Sequence, residues 1–229
     1  MFYILPKLTK DPIVGRPIAG GSNWITKPAS KYVAFYLQSY YKIFDTILVD
    51  RMEFIQYVES VLQGPNIRLC TLDAVSLYTN IPLKDFVDRM KRLLIKDHPI
   101  PQGPLILELL ELILFFNILE FNGEYFIQIF GFAMGIYFAP IGSNIYLSLL
   151  EKDMKELIVS DPSLSWPKFY KRYIDDIFMI LLTSLKQTLR FIELFNSLVP
   201  SIKLELEGNG NEVHFLDLIF FSRDKISTI

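Results

Sequence analysis

The sequence predicts a mixed α+β fold, in one large domain or two small ones. The chain has 229 residues, of which 51% are hydrophobic and 21% are charged, so it can bury a sizeable core and is not disordered. Segments with helical and with strand periodicity are interleaved along it. They lack the regular βαβ order and the glycine-rich fingerprint of doubly wound nucleotide-binding sheets. An α+β arrangement therefore accounts best for the pattern.

Helical periodicity occurs in six segments, in which apolar residues recur every three to four positions. Pro82 and Pro101 stand just before two of these segments, where proline is typical of a helix start. Within the apolar run 105–121, Glu108 and Glu111 lie three positions apart, which indicates one polar face on an amphipathic core helix. The predicted helices cover residues 30–44, 51–63, 83–96, 103–116, 138–157 and 187–199.

Strand-type segments are short and rich in β-branched and aromatic residues. Asn122-Gly123 separates two of them, and this dipeptide is a strong signal for a tight hairpin turn because both positions favour positive φ. The predicted strands cover residues 2–5, 67–73, 118–121, 124–129, 169–174, 177–182, 203–207 and 213–220.

A membrane-spanning segment is one interpretation of residues 125–150, which carry no charge and are long enough to cross a bilayer. Pro140, Gln128 and Asn144 favour instead a strand, a glycine-rich turn and a buried helix. The single cysteine, Cys70, cannot form an internal disulfide, and no basic and then apolar leader opens the sequence. We therefore expect an intracellular protein without a membrane segment.

Charge is distributed unevenly along the chain. Residues 1–42 carry six basic side chains and one acidic one, for a net charge of +5, whereas the remaining residues have a net charge of −7. This basic arm predicts a phosphate-bearing ligand near the N-terminal segment, and the acidic body predicts bound cations or solvent. A solvated surface of lysine side chains is the alternative.

The most informative local feature is the pair Asp175-Asp176, which stands between two apolar β-type runs. Adjacent carboxylates at a hairpin turn repel each other unless a cation lies between them. Asp73 ends another apolar run, 67–72, so the three carboxylates converge on one sheet edge if these strands are neighbours. For the pair taken alone, a solvated turn is the alternative.

Carboxylate oxygens are hard ligands that suit Mg²⁺ rather than zinc. His98, His214 and Cys70 are isolated in the sequence and cannot build a tetrahedral nitrogen and sulfur site. Two Mg²⁺ ions about 3.5–4 Å apart stabilise the attacking and leaving oxygens in phosphoryl transfer. The three aspartates therefore predict a metal site for phosphoryl chemistry.

Five segments of the sequence form one ordered set of motifs. They are 2–12 (FYILPKLTKDP) with 16–18 (RPI), 71–82 (TLDAVSLYTNIP), 131–135 (GFAMG) with Ala139-Pro140 and 144–146 (NIY), 170–178 (YKRYIDDIF) and 215–218 (FLDL). The last four, in this order, resemble the palm motifs of reverse transcriptases, most closely those of Penelope-like retroelements, and the first is similar to the fingers of that family. The resemblance covers nearly the whole chain, and four motifs in the right order are far more specific than one.

The resemblance implies a right-hand polymerase palm, with an antiparallel sheet backed by helices, together with partial fingers. Residues 1–66 would form the fingers with the basic arm and residues 67–229 the palm, with residues about 82–130 returning to the fingers; a thumb and an endonuclease are expected to be absent. The implied activity is RNA-directed DNA polymerisation, in which deoxynucleoside triphosphates extend a DNA primer on an RNA template. A nuclear location is inferred from the resemblance alone.

The resemblance also implies the catalytic residues. Asp73 and Asp175 would hold two Mg²⁺ ions, for which Mn²⁺ is a substitute, and Asp176 would be a supporting metal ligand. Tyr78 matches the bulky residue under the sugar of the incoming nucleotide, which rejects a 2′-hydroxyl group by steric clash. An aromatic ring packed behind the strand is the competing interpretation of Tyr78.

Five further positions match nucleotide-binding residues of the family. Lys7 and Arg16 match fingers positions that contact the triphosphate, where a guanidinium suits phosphate oxygens. Gly135 lets the backbone approach the nascent base pair, and Gln128 stands where the family often has a polar residue. Lys203 matches the lysine that protonates the leaving pyrophosphate. A solvent-exposed Lys7 and a plain turn at Gly135 are the alternatives.

Three positions match residues that contact the template–primer. Gly131 would let the backbone come close to the nucleic acid, and Phe215 and Leu216 would belong to the turn that grips the primer end. A simple turn at Gly131 and an ordinary core strand over residues 215–218 are the alternatives.

The chain departs from the family pattern at two positions. Thr9 stands where histidine is common, and Tyr137 stands where a proline usually follows the Met-Gly pair. With the expected absence of a thumb, the Tyr137 change supports a second hypothesis, in which the chain is a catalytically silent, polymerase-derived nucleic-acid-binding module or a remnant. The three intact aspartates favour the active enzyme.

Overall fold

A computed structural model of the chain describes residues 2–7, 12–19, 25–61, 67–182 and 184–222. In chain order its elements are β1 (Phe2–Lys7), β2 (Val14–Ala19), α1 (Lys27–Leu37), a 3₁₀ turn (Gln38–Lys42), α2 (Arg51–Val61), β3 (Arg68–Ala74), α3 (Leu77–Asn80), α4 (Leu83–Arg92), a π-helical turn (Leu93–Asp97), α5 (Gly103–Phe115), β4 (Ile118–Phe121), β5 (Glu124–Ile127), α6 (Ala139–Val159), β6 (Phe169–Tyr173), β7 (Asp176–Leu181), α7 (Leu185–Leu198), β8 (Leu204–Gly210), β9 (Glu212–Phe215) and β10 (Leu218–Phe221). The mixture of helices and antiparallel strands confirms the predicted α+β class.

Two compact units make up the chain, and each is built from two stretches of sequence. The first unit contains Met1–Tyr40 and Ser76–Tyr146, and the second contains Tyr41–Val75 and Leu147–Ile229. This division differs from a single boundary at residue 66, because Leu48, Phe54 and Val58 pack into the core of the second unit. Residues 82–130 belong to the same unit as the N-terminal hairpin. The assignment of the units to fingers and palm stays a prediction.

The second unit is organised around a four-stranded antiparallel sheet with the strand order β6-β7-β3-β8. The apolar runs in the sequence predict all four strands, and the structure confirms them. On one face of the sheet, Phe54 of α2 packs in edge or tilted contacts with Phe169, Phe178, Phe215 and Phe220, with ring centroids 5.4–5.9 Å apart. These buried aromatic rings form the core of the unit.

Helices contact the sheet of the second unit through polar bonds as well as apolar packing. In α6, Glu151 bonds to Tyr170 and Arg172 of β6. In α7, the Asn196 side chain donates to the Leu204 carbonyl at 3.1 Å and accepts from the Leu204 N–H at 2.7 Å. The helices thereby fix both outer strands of the sheet.

One predicted strand is wrong. The run 213–220 is two strands, β9 and β10, joined by the turn Leu216-Asp217. Leu216 has a φ of +54°, a conformation that normally calls for glycine or asparagine. Because the turn carries neither residue, the apolar pattern looks like one continuous strand.

In its described residues, the first unit contains two separate hairpins and a set of helices. The hairpin β4-β5 turns at Asn122 and Gly123, whose φ values of +54° and +83° confirm the prediction from their sequence. The hairpin partner β2 is not predicted, because Gly15 and Pro17 are untypical of a strand. Among the described residues, the structure contains no helix long and apolar enough to span a lipid bilayer.

Aromatic rings also form the core of the first unit. Phe86 of α4 packs against Phe132, Phe138 and Tyr146, with centroid distances of 4.9–6.0 Å. In addition, the Ser30 hydroxyl accepts a hydrogen bond from the Phe138 N–H at 2.9 Å. These contacts position the loop between β5 and α6, and that loop carries two of the predicted nucleotide-binding residues, Gln128 and Gly135.

Candidate functional site

The three predicted catalytic aspartates lie at one end of the β3-β7 pair in the second unit. Asp73 of β3 is the direct register partner of Asp176 of β7. Directly opposite residues of an antiparallel pair project from the same face of the sheet, so their carboxylates share a face. Asp175 precedes β7 in the turn, and its carbonyl accepts a hydrogen bond from the Ala74 N–H at 3.0 Å. The cross-strand partner of Asp73 is therefore Asp176, and Asp175 is the adjacent turn residue.

The turn that carries Asp175 has a strained backbone. Tyr173 pairs with Asp176, which leaves Ile174 and Asp175 as a two-residue hairpin loop. Ile174 has a φ of +59°, although this position of a tight hairpin turn favours glycine. A β-branched residue in such a conformation costs about 1–3 kcal/mol and persists only where its surroundings hold it. The backbone that presents Asp175 is thus held in place by neighbouring groups.

Glu205 is an acidic residue beside the predicted set that the sequence does not single out. It is the register partner of Asp73 on the other side, in β8. Glu205, Asp73 and Asp176 therefore stand in one row across three strands. Only the pairing of β3 with β8 places Glu205 there, and no motif marks it in the sequence.

A metal ion at this edge of the sheet would have few protein ligands. Among the described residues, no three histidine, cysteine, aspartate or glutamate side chains form a cluster that could hold a metal ion. Mg²⁺ in phosphoryl-transfer sites is typically bound by one or two carboxylates, with substrate phosphates and water completing the shell. Asp73 and Asp176 on one face, with Asp175 in the adjacent turn, fit such a partial site and do not fit an all-protein cage.

A cavity of about 380 Å³ in the first unit is lined by three of the predicted nucleotide-binding residues, Arg16, Tyr78 and Gly135. Its volume is within the range of small-molecule sites. Arg16 is an exposed residue of β2, Tyr78 is a partly exposed residue of α3, and Gly135 has a φ of +119°. The complete lining is Arg16, Ile18, Tyr78, Met134, Gly135, Ile136, Tyr137, Ala139 and Pro140.

The short helix that carries Tyr78 is tied to the glycine-rich loop. The Tyr78 carbonyl accepts a hydrogen bond from the Phe132 N–H at 2.6 Å. Gly131 has a φ of +72°, and a Cβ atom on it would lie 2.5 Å from the Thr79 carbonyl oxygen. Only glycine fits there. Gly131, which the motif resemblance assigns to template–primer contact, therefore packs against the backbone of its own chain next to Tyr78.

Tyr137, the departure from the family pattern, lines the same cavity as Tyr78. Half of its surface is exposed, and the Lys31 ammonium lies 4.7 Å from the centroid of its ring. A cation at this distance from an aromatic face is attracted by the ring. A lysine of the basic arm is thus held beside a residue of the cavity wall.

Three predicted nucleotide-binding residues are not among the lining residues of this cavity. The side chain of Lys7 is outside the described part of the structure, as is Thr9, whereas the Lys7 backbone ends β1. Gln128 accepts a bond from Asn117, donates to the carbonyls of Phe130 and Gly131, and lines a smaller cavity of about 220 Å³. Lys203 is an exposed residue of the second unit, and its ammonium donates to the Asn196 carbonyl at 3.0 Å.

The turn predicted to contact the primer is present, but the side chain of its aromatic residue, Phe215, is buried in the core. Phe215 is 3% exposed, and its ring packs 5.4 Å from the rings of both Phe54 and Phe178. Leu216 is partly buried against the same core. At the tip, exposed Asp217 faces Arg51 at 3.6 Å. The tip of this turn is therefore exposed, while the Phe215 ring stabilises the hairpin.

The single cysteine has no catalytic character. Cys70 is a free, buried residue in the middle of β3. Burial raises the pKa of its thiol to about 12, and the nearby Arg68 lowers it only in part. A thiol with this pKa is protonated at neutral pH and is not a nucleophile.

Comparison with known proteins shows a nucleic-acid polymerase fold. No family model matches the sequence, and no curated protein is significantly similar to it. The structure, however, is similar to apo telomerase from Candida tropicalis, with a TM-score of 0.68 and 12% identity over 96% of this chain and 47% of that one. The form truncated from its C-terminal domain has a TM-score of 0.66 and is 13% identical, over 96% of this chain and 53% of that one.

A second group of similar structures consists of viral RNA polymerases. The RNA-dependent RNA polymerase of BmCPV in its quiescent state has a TM-score of 0.63 and is 12% identical, over 96% of this chain and 21% of that one. The chain thus spans about half the length of the telomerase chains and about a fifth of the viral one. At these identities the likeness establishes the polymerase fold, and the Penelope-like affiliation stays a prediction.

Proposed function

We propose that the chain is the core of an RNA-directed DNA polymerase, which adds deoxynucleotides to the 3′-hydroxyl of a primer. One observation carries the proposal: Asp73 and Asp176 are register partners in an antiparallel sheet, with Asp175 in the adjoining turn, in a chain that has a polymerase fold. These are the residues that the motif resemblance assigns to catalysis. The register brings two of these carboxylates to opposite positions of paired strands, which supports the proposal.

The carboxylates of the second unit would bind the catalytic metal. In this proposal Asp73 and Asp175 are the principal ligands and Asp176 supports them, and Mn²⁺ can replace Mg²⁺. When bound, two such ions stabilise the charge on the attacking and leaving oxygens. The protein contributes fixed oxygen ligands, because β3 and β7 are paired along their length and the turn between β6 and β7 is short.

The cavity of the first unit would bind the incoming nucleotide. The Arg16 guanidinium suits the oxygens of a triphosphate, and the backbone at Gly135 permits close approach of a base pair. The Tyr78 ring on the cavity wall would exclude a ribose by contact with its 2′-hydroxyl. This exclusion is what favours a DNA polymerase over an RNA polymerase, which has to accept that group.

The remaining parts of the proposal come from the motif resemblance. The template would be RNA and the primer DNA, with Gly131 and the Leu216 turn near the duplex. Lys203 would supply a proton to pyrophosphate, for which it must leave its bond to the Asn196 carbonyl. The affiliation with Penelope-like retroelements and a nuclear location belong to the same proposal.

A catalytically silent, nucleic-acid-binding module is the second candidate, and Tyr137 is the observation that favours it. Its ring occupies part of the wall of the cavity where the family usually has proline. A bulky ring at that place takes volume from the nucleotide. The module would then bind nucleic acid without extending it.

Primer extension with purified protein distinguishes these candidates. We expect the wild-type chain to extend a DNA primer annealed to an RNA template with deoxynucleoside triphosphates and Mg²⁺. Asp175→Asn should abolish extension, since it removes a ligand charge with almost no change in volume, and its melting temperature should stay close to that of the wild type. Glu207→Gln is the matched control, because it removes one carboxylate from an exposed position of β8 in the same sheet. Template–primer binding without extension by the wild type would support the silent module instead.

A further inference from the structure

A buried ion pair lies behind the turn that carries Asp175. Arg172 of β6 is 0% exposed and Glu151 of α6 is 1% exposed. The Arg172 Nε donates to Glu151 Oε1 at 2.5 Å, and its Nη2 donates to Glu151 Oε2 at 3.4 Å and to the Ser148 hydroxyl at 2.9 Å. Buried ion pairs of this kind give little net stability compared with apolar residues of similar volume. Stability alone therefore does not account for the pair.

The third nitrogen of the Arg172 guanidinium reaches the strained turn. Its Nη1 donates a hydrogen bond to the carbonyl oxygen of Ile174 at 3.0 Å. Ile174 is the residue whose φ of +59° opposes its β-branched side chain. The bond fixes the peptide unit between Ile174 and Asp175. A single planar guanidinium thus connects α6 to the turn before β7.

Arg172 is itself held firmly on its main chain and within its side-chain network. Its N–H donates to the Thr46 carbonyl and its own carbonyl accepts from the Leu48 N–H, both at 2.8 Å. The Tyr170 hydroxyl donates to Glu151 Oε1 at 2.9 Å. Although burial alone would lower the pKa of Arg172, the charge of Glu151 and its hydrogen bond raise it above the ordinary value. The guanidinium therefore stays charged.

The strand geometry keeps the Arg172 side chain away from any cation that the aspartate carboxylates would bind. Arg172 pairs in register with Ile177, whereas Asp176 pairs with Tyr173. Successive residues of a strand point to opposite faces, so the Arg172 side chain lies on the face opposite to that of Asp73 and Asp176. Any effect that it has on the carboxylates passes through the backbone of the turn.

We propose that the Arg172–Glu151 pair is a positioning device that holds the Ile174–Asp175 turn in its strained conformation and so aims the carboxylates of Asp175 and Asp176 at a divalent cation. The part that concerns the cation rests on the function proposed above. Arginine suits this task because its rigid fork donates in three directions at once, to Glu151, to Ser148 and to the Ile174 carbonyl. A lysine ammonium cannot reach all three with the same geometry.

Two variants separate positioning from stability. Arg172→Lys keeps the charge and removes the fork. The triple variant Glu151→Leu, Tyr170→Phe and Arg172→Met replaces the buried polar network with apolar groups, which is expected to keep or raise the melting temperature, yet it cannot bind the Ile174 carbonyl. Ile180→Val is the control, because it trims a buried core residue of β7 that lies away from the turn.

The first measurement is amide hydrogen exchange at Ala74, whose N–H is bonded to the Asp175 carbonyl. In both Arg172 variants we expect this amide to exchange at least about tenfold faster relative to the Cys70 amide in the middle of β3, as when a local contact opens. The Ile180→Val control should change both amides by the same factor. An unchanged ratio of Ala74 to Cys70 exchange in the triple variant overturns the proposal, whatever the chain does to nucleic acid.

The second measurement is the affinity for Mn²⁺ alone, followed by electron paramagnetic resonance. Loss of groups that orient metal ligands typically weakens metal binding by about 10–100-fold, and we expect such a loss in both Arg172 variants but not in Ile180→Val. Wild-type affinity in the triple variant overturns the link to the cation. If the wild type itself binds no Mn²⁺ at its carboxylates, the proposed function fails, and the Ala74 exchange still decides whether Arg172 holds the turn.

Discussion

Replacing Tyr78 with alanine tests the most specific part of the proposed nucleotide site, the proposed selection between deoxyribose and ribose. The ring is partly exposed and lines the 380 Å³ cavity together with Arg16 and Gly135. Its backbone is fixed separately, by the hydrogen bond from Phe132 to the Tyr78 carbonyl. Removing the ring therefore enlarges the cavity while the helix that carries residue 78 stays attached to its loop.

The structure also sets the size of the two competing effects. A fully buried aromatic residue costs about 3–5 kcal/mol when truncated to alanine. Tyr78 is only partly buried, so we expect a loss of about 1–2 kcal/mol, which lowers the melting temperature of a chain of this size by about 3–6 °C. If the ring excludes the 2′-hydroxyl, the preference for deoxynucleotides over ribonucleotides should fall at least about tenfold, or about 1.4 kcal/mol in transition-state binding.

Single-nucleotide incorporation and thermal melting are measured on the same Tyr78→Ala preparation. Tyr125→Ala is the matched control, since it truncates a tyrosine of the same unit that is 74% exposed. We expect wild-type sugar preference and nearly wild-type stability for the control. A Tyr78→Ala variant that is destabilised but rejects ribonucleotides as strongly as the wild type refutes the reasoning and leaves Tyr78 a packing residue.

Three further predictions follow from the described geometry. Gly131→Ala should lower the free energy of unfolding by at least about 2 kcal/mol in chemical denaturation, because alanine is disfavoured at positive φ and its Cβ would meet the Thr79 backbone. Arg16→Gln should weaken deoxynucleoside triphosphate binding by about tenfold or more in a titration, since it removes a charged hydrogen-bond donor from the cavity. Cys70 should resist iodoacetamide in the folded protein, and the free energy of unfolding should decline above about pH 9, because the unfolded thiol loses its proton there while the folded one keeps it up to about pH 12.

Each of these predictions has its own contradicting result. A Gly131→Ala chain with wild-type stability would mean that the loop yields easily at Thr79. Arg92→Gln is the control for Arg16, as it removes an exposed arginine of the same unit that does not line the cavity. Equal nucleotide affinities of the two variants would assign Arg16 to a solvated surface. If the free energy of unfolding of Cys70→Ala declines above about pH 9 as steeply as that of the wild type, the thiol is not the cause of the decline.

Local patterns in the sequence are sufficient for most of the helices and strands. The helices α2, α5 and α6 begin and end within a few residues of their predicted bounds, because the 3.6-residue period of apolar side chains is a local property. The Asn122-Gly123 turn is equally local, since its positive φ values suit these two residue types. The turns at Ile174 and Leu216 adopt positive φ without such residues. Only the first of these two is predicted, because its charged pair interrupts the apolar run.

In the candidate site, too, some features follow from the local sequence and others from tertiary contacts. Motif order selects Asp73, Asp175, Asp176 and Tyr78, and the structure places Asp73 and Asp176 on paired strands, Asp175 in the adjoining turn and Tyr78 on a cavity wall. Motif order does not reveal that Gly131 packs against its own chain or that Glu205 stands beside Asp73. Those facts depend on which distant segments become neighbours.

Only the tertiary structure determines the register of the paired strands and the burial of their side chains. A strand's alternation specifies which side chains share a face, but the energy of pairing comes from a partner strand that can be more than a hundred residues away. Asp73 therefore meets Asp176, rather than Asp175, only once β3 and β7 are aligned. For Arg172, the sequence shows a charged residue in a strand, and only the packing of α6 gives it Glu151 as a partner and turns a solvent-seeking side chain into a buried support for the turn.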